Sequence, residues 1–243
     1  MYKNLSREDF LKFAVKHKLY SNEKNLDQYL NTLFADIDFT GKSFLDIGGG
    51  NGLFTHYATY CGASRAVCME PEDDGSTSGD TTLFTKFKDT FELQTSELVT
   101  SAFQEYESDP FDIVLSHNSI NHLDEPACEA LNESAAAREI YNDLFKKLSN
   151  LTKPGGQLIV CDCRRRNFFS DLKLTNPFMR TIEWKKHQEP EFWAEMLQPA
   201  GFESESIQWT TFNTLGPLAP RVLNNRLAGY MTLSHFRMYL RKT

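Results

Sequence analysis

The most restrictive stretch of this chain is a short apolar run, Ser43-Phe44-Leu45-Asp46-Ile47, that passes directly into Gly48-Gly49-Gly50-Asn51-Gly52. Consecutive glycines let the backbone turn sharply and let a ligand approach with no Cβ in the way. The residues after them, 51–61, read as a helix, whose free N–H groups and positive dipole end face the loop. Strand, glycine loop and helix together predict the opening unit of an α/β sheet protein with a ligand at the loop.

The rest of the chain repeats the alternation. Strands are predicted at 65–69, weakly at 91–95, at 111–115 and at 157–163, with helices near 83–90, over 135–151 and over 190–200, and two closing strands near 203–210 and 232–241. The helix over 135–151 is closed by Lys153-Pro154-Gly155-Gly156, and the one over 190–200 has Pro190 in its first turn and Gly201 after its end. Residues 72–80 have loop composition, and 213–229 read as an excursion between the last strands. Residues 1–40 read as helical, with Ser6 at a helix start ahead of Glu8 and Asp9. They form an N-terminal helical segment, a candidate lid, ahead of one main domain over 41–243 that carries an irregular insertion at 164–189. Strand alternating with helix predicts a mostly parallel sheet covered on both faces. Polar residues gather at the strand ends, at 46–52, 70, 116–122 and 162–166, which predicts one shared crevice.

Composition narrows the classes. With 243 residues and 40% hydrophobic content, the chain can bury a continuous core. A net charge of −7 argues against a nucleic-acid polyanion as obligate partner, with Arg164-Arg165-Arg166 as the one candidate basic patch. The five cysteines show no CxxC and no Cys/His ligand spacing, so the reading is reduced thiols, no metal site and a cytoplasmic protein. No apolar run approaches the ~18 residues of a membrane span, and no signal peptide is read at residues 1–10.

Glu70, closing the second strand just before Pro71, stands where an acid reaches ribose hydroxyls in nucleotide sites. A dinucleotide fingerprint would need a third Gly or Ala, yet Leu53 or Thr55 occupies that position, which disfavours an oxidoreductase.

The pattern Asp46-x-Gly48-x-Gly50-x-Gly52 resembles motif I of the class I S-adenosylmethionine-dependent methyltransferases, and Gly49 lies within it. Glu70 resembles the motif II acid, and Ser101-Ala102-Phe103 occupies the place of the adenine contact, without that family's usual Asp. Residues 111–116, ending in Ser116, resemble motif IV, and 151–158 resemble the helix-turn-strand after it, so the likeness spans about residues 43–163, half the chain. The resemblance implies S-adenosylmethionine as cofactor and a Rossmann-like, doubly wound, mostly parallel seven-stranded sheet with an antiparallel final strand. It also implies an acceptor pocket built from the early helices and the late insertion.

Methyl transfer asks the protein to align a nucleophile and accept its proton. His117 and His122, after the fourth strand, are the candidate bases because imidazole titrates near neutrality, and Asn118 is a candidate positioning group. Asp124-Glu125 reads as a helix start. Arg164 to Arg166 with Phe168, Phe169, Trp184, Lys185 and His187 suit a small polar or anionic acceptor, such as a sugar or nucleotide-linked intermediate. The expected activity is methylation of oxygen or nitrogen on a small molecule. The alternatives are an RNA or protein methyltransferase and a non-catalytic cofactor binder.

Overall fold

A computed structural model of the chain describes residues 5–71, 82–210 and 224–243. The loop expected at 72–80 and most of the excursion expected at 213–229 lie outside the described residues. Seven strands form one mostly parallel sheet in the order β3-β2-β1-β4-β5-β7-β6, flanked by helices, as the sequence predicts. The chain divides into two compact units, Met1–Leu115 and Ser116–Thr243.

In the first unit, α1 (Arg7–Lys16) and α2 (Glu23–Leu33) precede β1 (Ser43–Ile47), α3 (Leu53–Tyr60), β2 (Arg65–Met69), α4 (Thr82–Thr90), β3 (Ser96–Val99) and most of β4 (Phe111–His117). Ser6 caps α1 in a reciprocal box with Asp9, and Asn22 caps α2. Helix α1 buries Phe10, Leu11, Phe13 and Ala14, and α2 buries Leu26, Tyr29, Leu30 and Leu33 ahead of its C-cap Phe34. Phe10 packs on Tyr57, Tyr60 and Phe87, and Phe34 packs on Phe39, Phe44 and Tyr57. The ladders β1–β2 and β2–β3 are parallel.

The third strand departs from expectation, because it lies at Ser96–Val99 rather than over 91–95. The cause is the end of α4. Leu93 donates its N–H to Lys88 O (3.0 Å) and Glu92 to Asp89 O (3.4 Å), with Glu92 at φ 53. That bond pair is a Schellman motif, and it diverts residues 91–95 into capping the helix, with Leu93 fully buried. The fourth strand also runs further than predicted, so Ser116 and His117 are strand residues rather than loop.

The second unit holds α5 (Glu125–Ala130), α6 (Ala135–Asn150), β5 (Thr152–Cys163), α7 (Phe168–Asp171), α8 (Pro190–Leu197), β6 (Phe202–Thr210), α9 (Arg226–Met231) and β7 (His235–Lys242). Strand β5 starts earlier than predicted, although its ladder with β7 begins at Gln157. Strand β7 runs antiparallel to both β5 and β6 and lies between them. Trp193 of α8 is fully buried against Tyr141 and Phe145 of α6.

Candidate active site

The glycine loop leaves the carboxyl end of β1 with Gly48, Gly50 and Gly52 at φ 66, 55 and 75, a left-handed backbone that disfavours other residues. Gly49 is required for another reason. A Cβ there would sit 2.7 Å from Cys68 Sγ and 2.8 Å from the Asp46 carboxyl. The N–H groups of Gly48 and Gly49 donate to Met69 O (2.8 and 3.1 Å), stitching the loop to the end of β2. Gly50 N–H donates to Glu70 Oε2 at 2.9 Å, so the acid expected at the ribose is tied to the glycine loop. The N-cap of α3 is Gly52, which has no side chain to cap the helix start.

Asp46 is fully buried. Thr55 Oγ1 donates to its Oδ2 (3.1 Å), whereas Oδ1 has no hydrogen-bond partner among the described residues. Burial, assisted by the nearby Glu70 charge and opposed by the Thr55 hydroxyl, pushes the Asp46 carboxyl up to about 7. Asn51 Oδ1 is a second buried acceptor without a donor among the described residues. Two orphaned acceptors and two carboxyl groups form a cradle for a ligand that brings donors and positive charge. S-adenosylmethionine, with its ammonium, sulfonium and ribose diol, fits that cradle, and an anionic pyrophosphate does not.

The remaining predicted cofactor residues of this unit follow β2 and β3. Pro71 comes directly after Glu70, whose N–H donates to Val99 O at the end of β3 (2.9 Å). Ala102 and Phe103 lie in the turn just beyond β3, where Ala102 O accepts from Glu105 and Tyr106 (3.0 and 3.1 Å) and Phe103 is buried.

In the second unit, Ser116 is buried with its hydroxyl 2.8 Å from that of Ser119. Asn118, at φ 54, donates its N–H to Cys161 O (2.7 Å) and places Oδ1 3.3 Å from His235 Nε2. The His117 ring lies 5.9 Å from that of His235. Burial lowers both imidazoles, to about 4 for His117 and about 3 for His235, with His117 as the second cause at His235. Both are therefore neutral at pH 7 and weakly basic. His122 is exposed and pairs through Nδ1 with Glu125 Oε1. The buried Tyr141 hydroxyl, within 3.1–3.3 Å of the carbonyls of Ile120, Asn121 and Asp124, holds this segment in place. Asp124 is the helix start expected from sequence, and its side chain accepts from Ala127 N–H (2.9 Å).

The structure also pairs two residues that sequence reasoning left apart. Fully buried Asp162 of β5 accepts from Cys163 N–H (2.7 Å) and from His187 Nδ1 (2.9 Å) through the same Oδ1, leaving Oδ2 without a partner among the described residues. His187 follows a 3-10 turn at Trp184–Lys186, and its neighbours are anchored. Gln188 donates to Cys128 O (2.7 Å), and Glu189 takes Arg164 through Nε (3.1 Å) and Nη2 (2.7 Å). With Nδ1–H directed to the carboxylate, His187 presents Nε2 as an acceptor. The arginine run is engaged as well. Arg164 meets Glu189, Arg165 donates to Lys185 O (2.9 Å) and Arg166 pairs with Asp171 (2.8 Å).

The comparisons agree with this class of fold. Residues 17–207 match the family model described as a methyltransferase domain. No protein in the curated set matches the sequence. An S-adenosylmethionine-dependent methyltransferase from Mesorhizobium loti superposes with a TM-score of 0.58 at 14% identity, covering 90% of this chain and 98% of that one. The mitomycin 7-O-methyltransferase MmcR gives 0.56 at 15% identity over 99% of this chain and 62% of its own, and the [4+2]-cyclase SpnF gives 0.57 at 16% over 91% and 81%. These likenesses show the shared fold. The chain belongs to the methyltransferase domain family. It is an S-adenosylmethionine-dependent methyltransferase of class I architecture, as its motifs led one to expect.

Proposed function

We propose that this enzyme methylates an oxygen or nitrogen of a small polar molecule, with His187 as general base. The observation that carries the reading is the His187–Asp162 pair, an imidazole oriented by a fully buried carboxylate with Nε2 free to take a proton. S-adenosylmethionine, when bound, supplies an electrophilic methyl group on a sulfonium sulfur. Asp46, Asn51, Glu70 and the glycine-loop backbone hold it, with Pro71, Ala102, Phe103 and Ser116 as further contacts. His187 Nε2 accepts the proton of the acceptor hydroxyl or ammonium, and Asp162 fixes the tautomer and stabilises the imidazolium that results. Asn118 and the neutral His117 and His235 serve as positioning groups around the acceptor.

A small acceptor is favoured because the net charge of −7 opposes a polyanion and each arginine of the 164–166 run already has a partner. Five cysteines in thiol form fit a reducing compartment such as the cytoplasm. Among the described residues, no helix is long and apolar enough to cross a membrane.

The test begins with S-adenosylhomocysteine calorimetry on wild type, His187→Ala and His122→Ala, followed by a screen of hydroxyl and amine acceptors read by S-adenosylhomocysteine formation. All three proteins are expected to bind S-adenosylhomocysteine alike. His187→Ala should lose roughly 10²–10⁴ in turnover, while His122→Ala stays near wild type. Wild-type turnover in His187→Ala would remove it as the base. Tight S-adenosylhomocysteine binding with no turnover on any acceptor, or turnover on RNA or protein alone, would overturn the small-molecule reading.

A further inference from the structure

Arg237 lies in the middle of β7, flanked by β5 and β6, and is only 2% exposed. Its Nε and Nη1 are sealed from solvent and have no hydrogen-bond acceptor among the described residues. Among the described residues, no carboxylate pairs with it, whereas Arg164, Arg166, Arg226 and Arg241 all have carboxylate partners. Burying an uncompensated guanidinium is among the costliest arrangements a fold can hold. Retaining it points to a counter-charge that arrives with a ligand.

The neighbours agree. In the β6–β7 ladder Thr210 stands opposite His235 and Gln208 opposite Arg237, so Thr210, His235 and Arg237 project from one face. Thr210 Oγ1 is buried and likewise lacks a partner among the described residues. On the neighbouring strand, Cys163 and Cys161 stand opposite His235 and Arg237 and bring no charge to that face. His235, in turn, lies beside Asn118 and His117. The unpaired cation thus adjoins the residues assigned above to the acceptor. After burial and His117, the Arg237 charge is the next cause that holds His235 neutral.

We propose that Arg237, Thr210 and His235 form a receptor for an anionic group, a carboxylate or phosphate, carried by the methyl acceptor. This rests on the small-molecule reading above and narrows it to anionic acceptors. Arg237 supplies the counter-charge, the Thr210 hydroxyl donates a hydrogen bond, and neutral His235 adds polarity without repelling the anion.

The experiment follows thermal unfolding of the full chain in chloride, inorganic phosphate and acetate at matched ionic strength. Wild type, Arg237→Met and Thr210→Val are compared. Phosphate or acetate is expected to raise the wild-type Tm saturably, by roughly 5–10 °C at about a hundredfold excess over its Kd. Arg237→Met, similar in shape but uncharged, should be at least as stable as wild type in chloride and respond to neither anion. Thr210→Val should weaken the anion Kd about tenfold and covers the case in which Arg237→Met does not fold. A wild type indifferent to both anions, or variants that respond as wild type does, would overturn the proposal. An Arg237→Met chain that folds but is destabilised in chloride would make the cation structural and refute it equally. S-adenosylhomocysteine calorimetry on the same proteins keeps the two readings apart. Unchanged affinity beside a lost anion response supports the receptor, whereas a wild type that binds anions but not S-adenosylhomocysteine refutes the cofactor cradle alone.

Discussion

Replacing Asp46 with Asn should stabilise the ligand-free protein at alkaline pH and weaken its hold on the cofactor. The native Asp46 carboxyl is raised from 3.8 to about 7, chiefly by burial, so the native state binds a proton that the unfolded chain has released. Stability from this group is full below the unfolded value and is lost as pH rises towards the folded one. A carboxyl raised that far contributes about 4 kcal/mol, of which about 3 kcal/mol is lost between pH 5 and 8. Asn keeps an oxygen for the Thr55 hydroxyl but cannot ionise, and it presents an amide donor where Asp46 Oδ1 stands without a partner. Urea unfolding of both proteins at several pH values should show the variant gaining on wild type by about 3 kcal/mol from pH 5 to 8, other titrations cancelling in the difference. Calorimetry near pH 8 should show S-adenosylhomocysteine affinity falling at least about tenfold. A pH-independent difference, or a variant less stable than wild type at pH 8, would refute the argument that Asp46 is buried at a cost for the ligand's sake.

Other outcomes follow from the same geometry. Gly50→Val places a β-branched side chain at φ 55 in the loop, and the folded protein, checked by circular dichroism, should bind S-adenosylhomocysteine at least about tenfold more weakly. Gly52→Ala combines φ 75 with a Cβ 2.3 Å from Phe84 Cδ2, and urea unfolding should show a loss of about 2–5 kcal/mol. Asp162→Asn keeps an oxygen for His187 Nδ1–H but loses the charge that stabilises the imidazolium, so kcat should drop by roughly 10²–10⁴ with KM and S-adenosylhomocysteine affinity little changed.

Features written in consecutive residues were the legible ones. Strand β1, its glycines and Glu70 follow from local sterics and a period of alternation, and they lie where the pattern puts them. Strand β3 was displaced because residues 91–95 look strand-like but are claimed by the end of α4, with Glu92 rather than glycine in the left-handed position. The His187–Asp162 pair was not legible. In the sequence Asp162 is a strand-end polar residue and His187, 25 residues further on, is part of an insertion, and the bonds of Gln188 and Glu189 help bring them together. Arg237 was hidden by alternation itself. His-Phe-Arg-Met-Tyr-Leu-Arg is the pattern of a half-exposed strand, whereas β7 carries a neighbour on each side. Its burial depends on what covers that face of the sheet, which periodicity does not encode.

Asn167 gives the irregular stretch after β5 an unexpected character. Its fully buried amide nitrogen reaches Tyr230 O, Thr232 O and Ser234 Oγ within 3.1 Å, and its oxygen takes Phe169 N–H and Asn176 Nδ2. Residues with little regular structure are thereby sewn to the entrance of β7 and, through Gln188 and Glu189, to α5 and the end of β5. Such a segment does not tolerate the length changes that surface connections usually accept. Exchanges of side chains between these fixed stitches are expected to be accepted there more readily than changes of length, with one amide keeping the stretch after β5 and the start of β7 in common register.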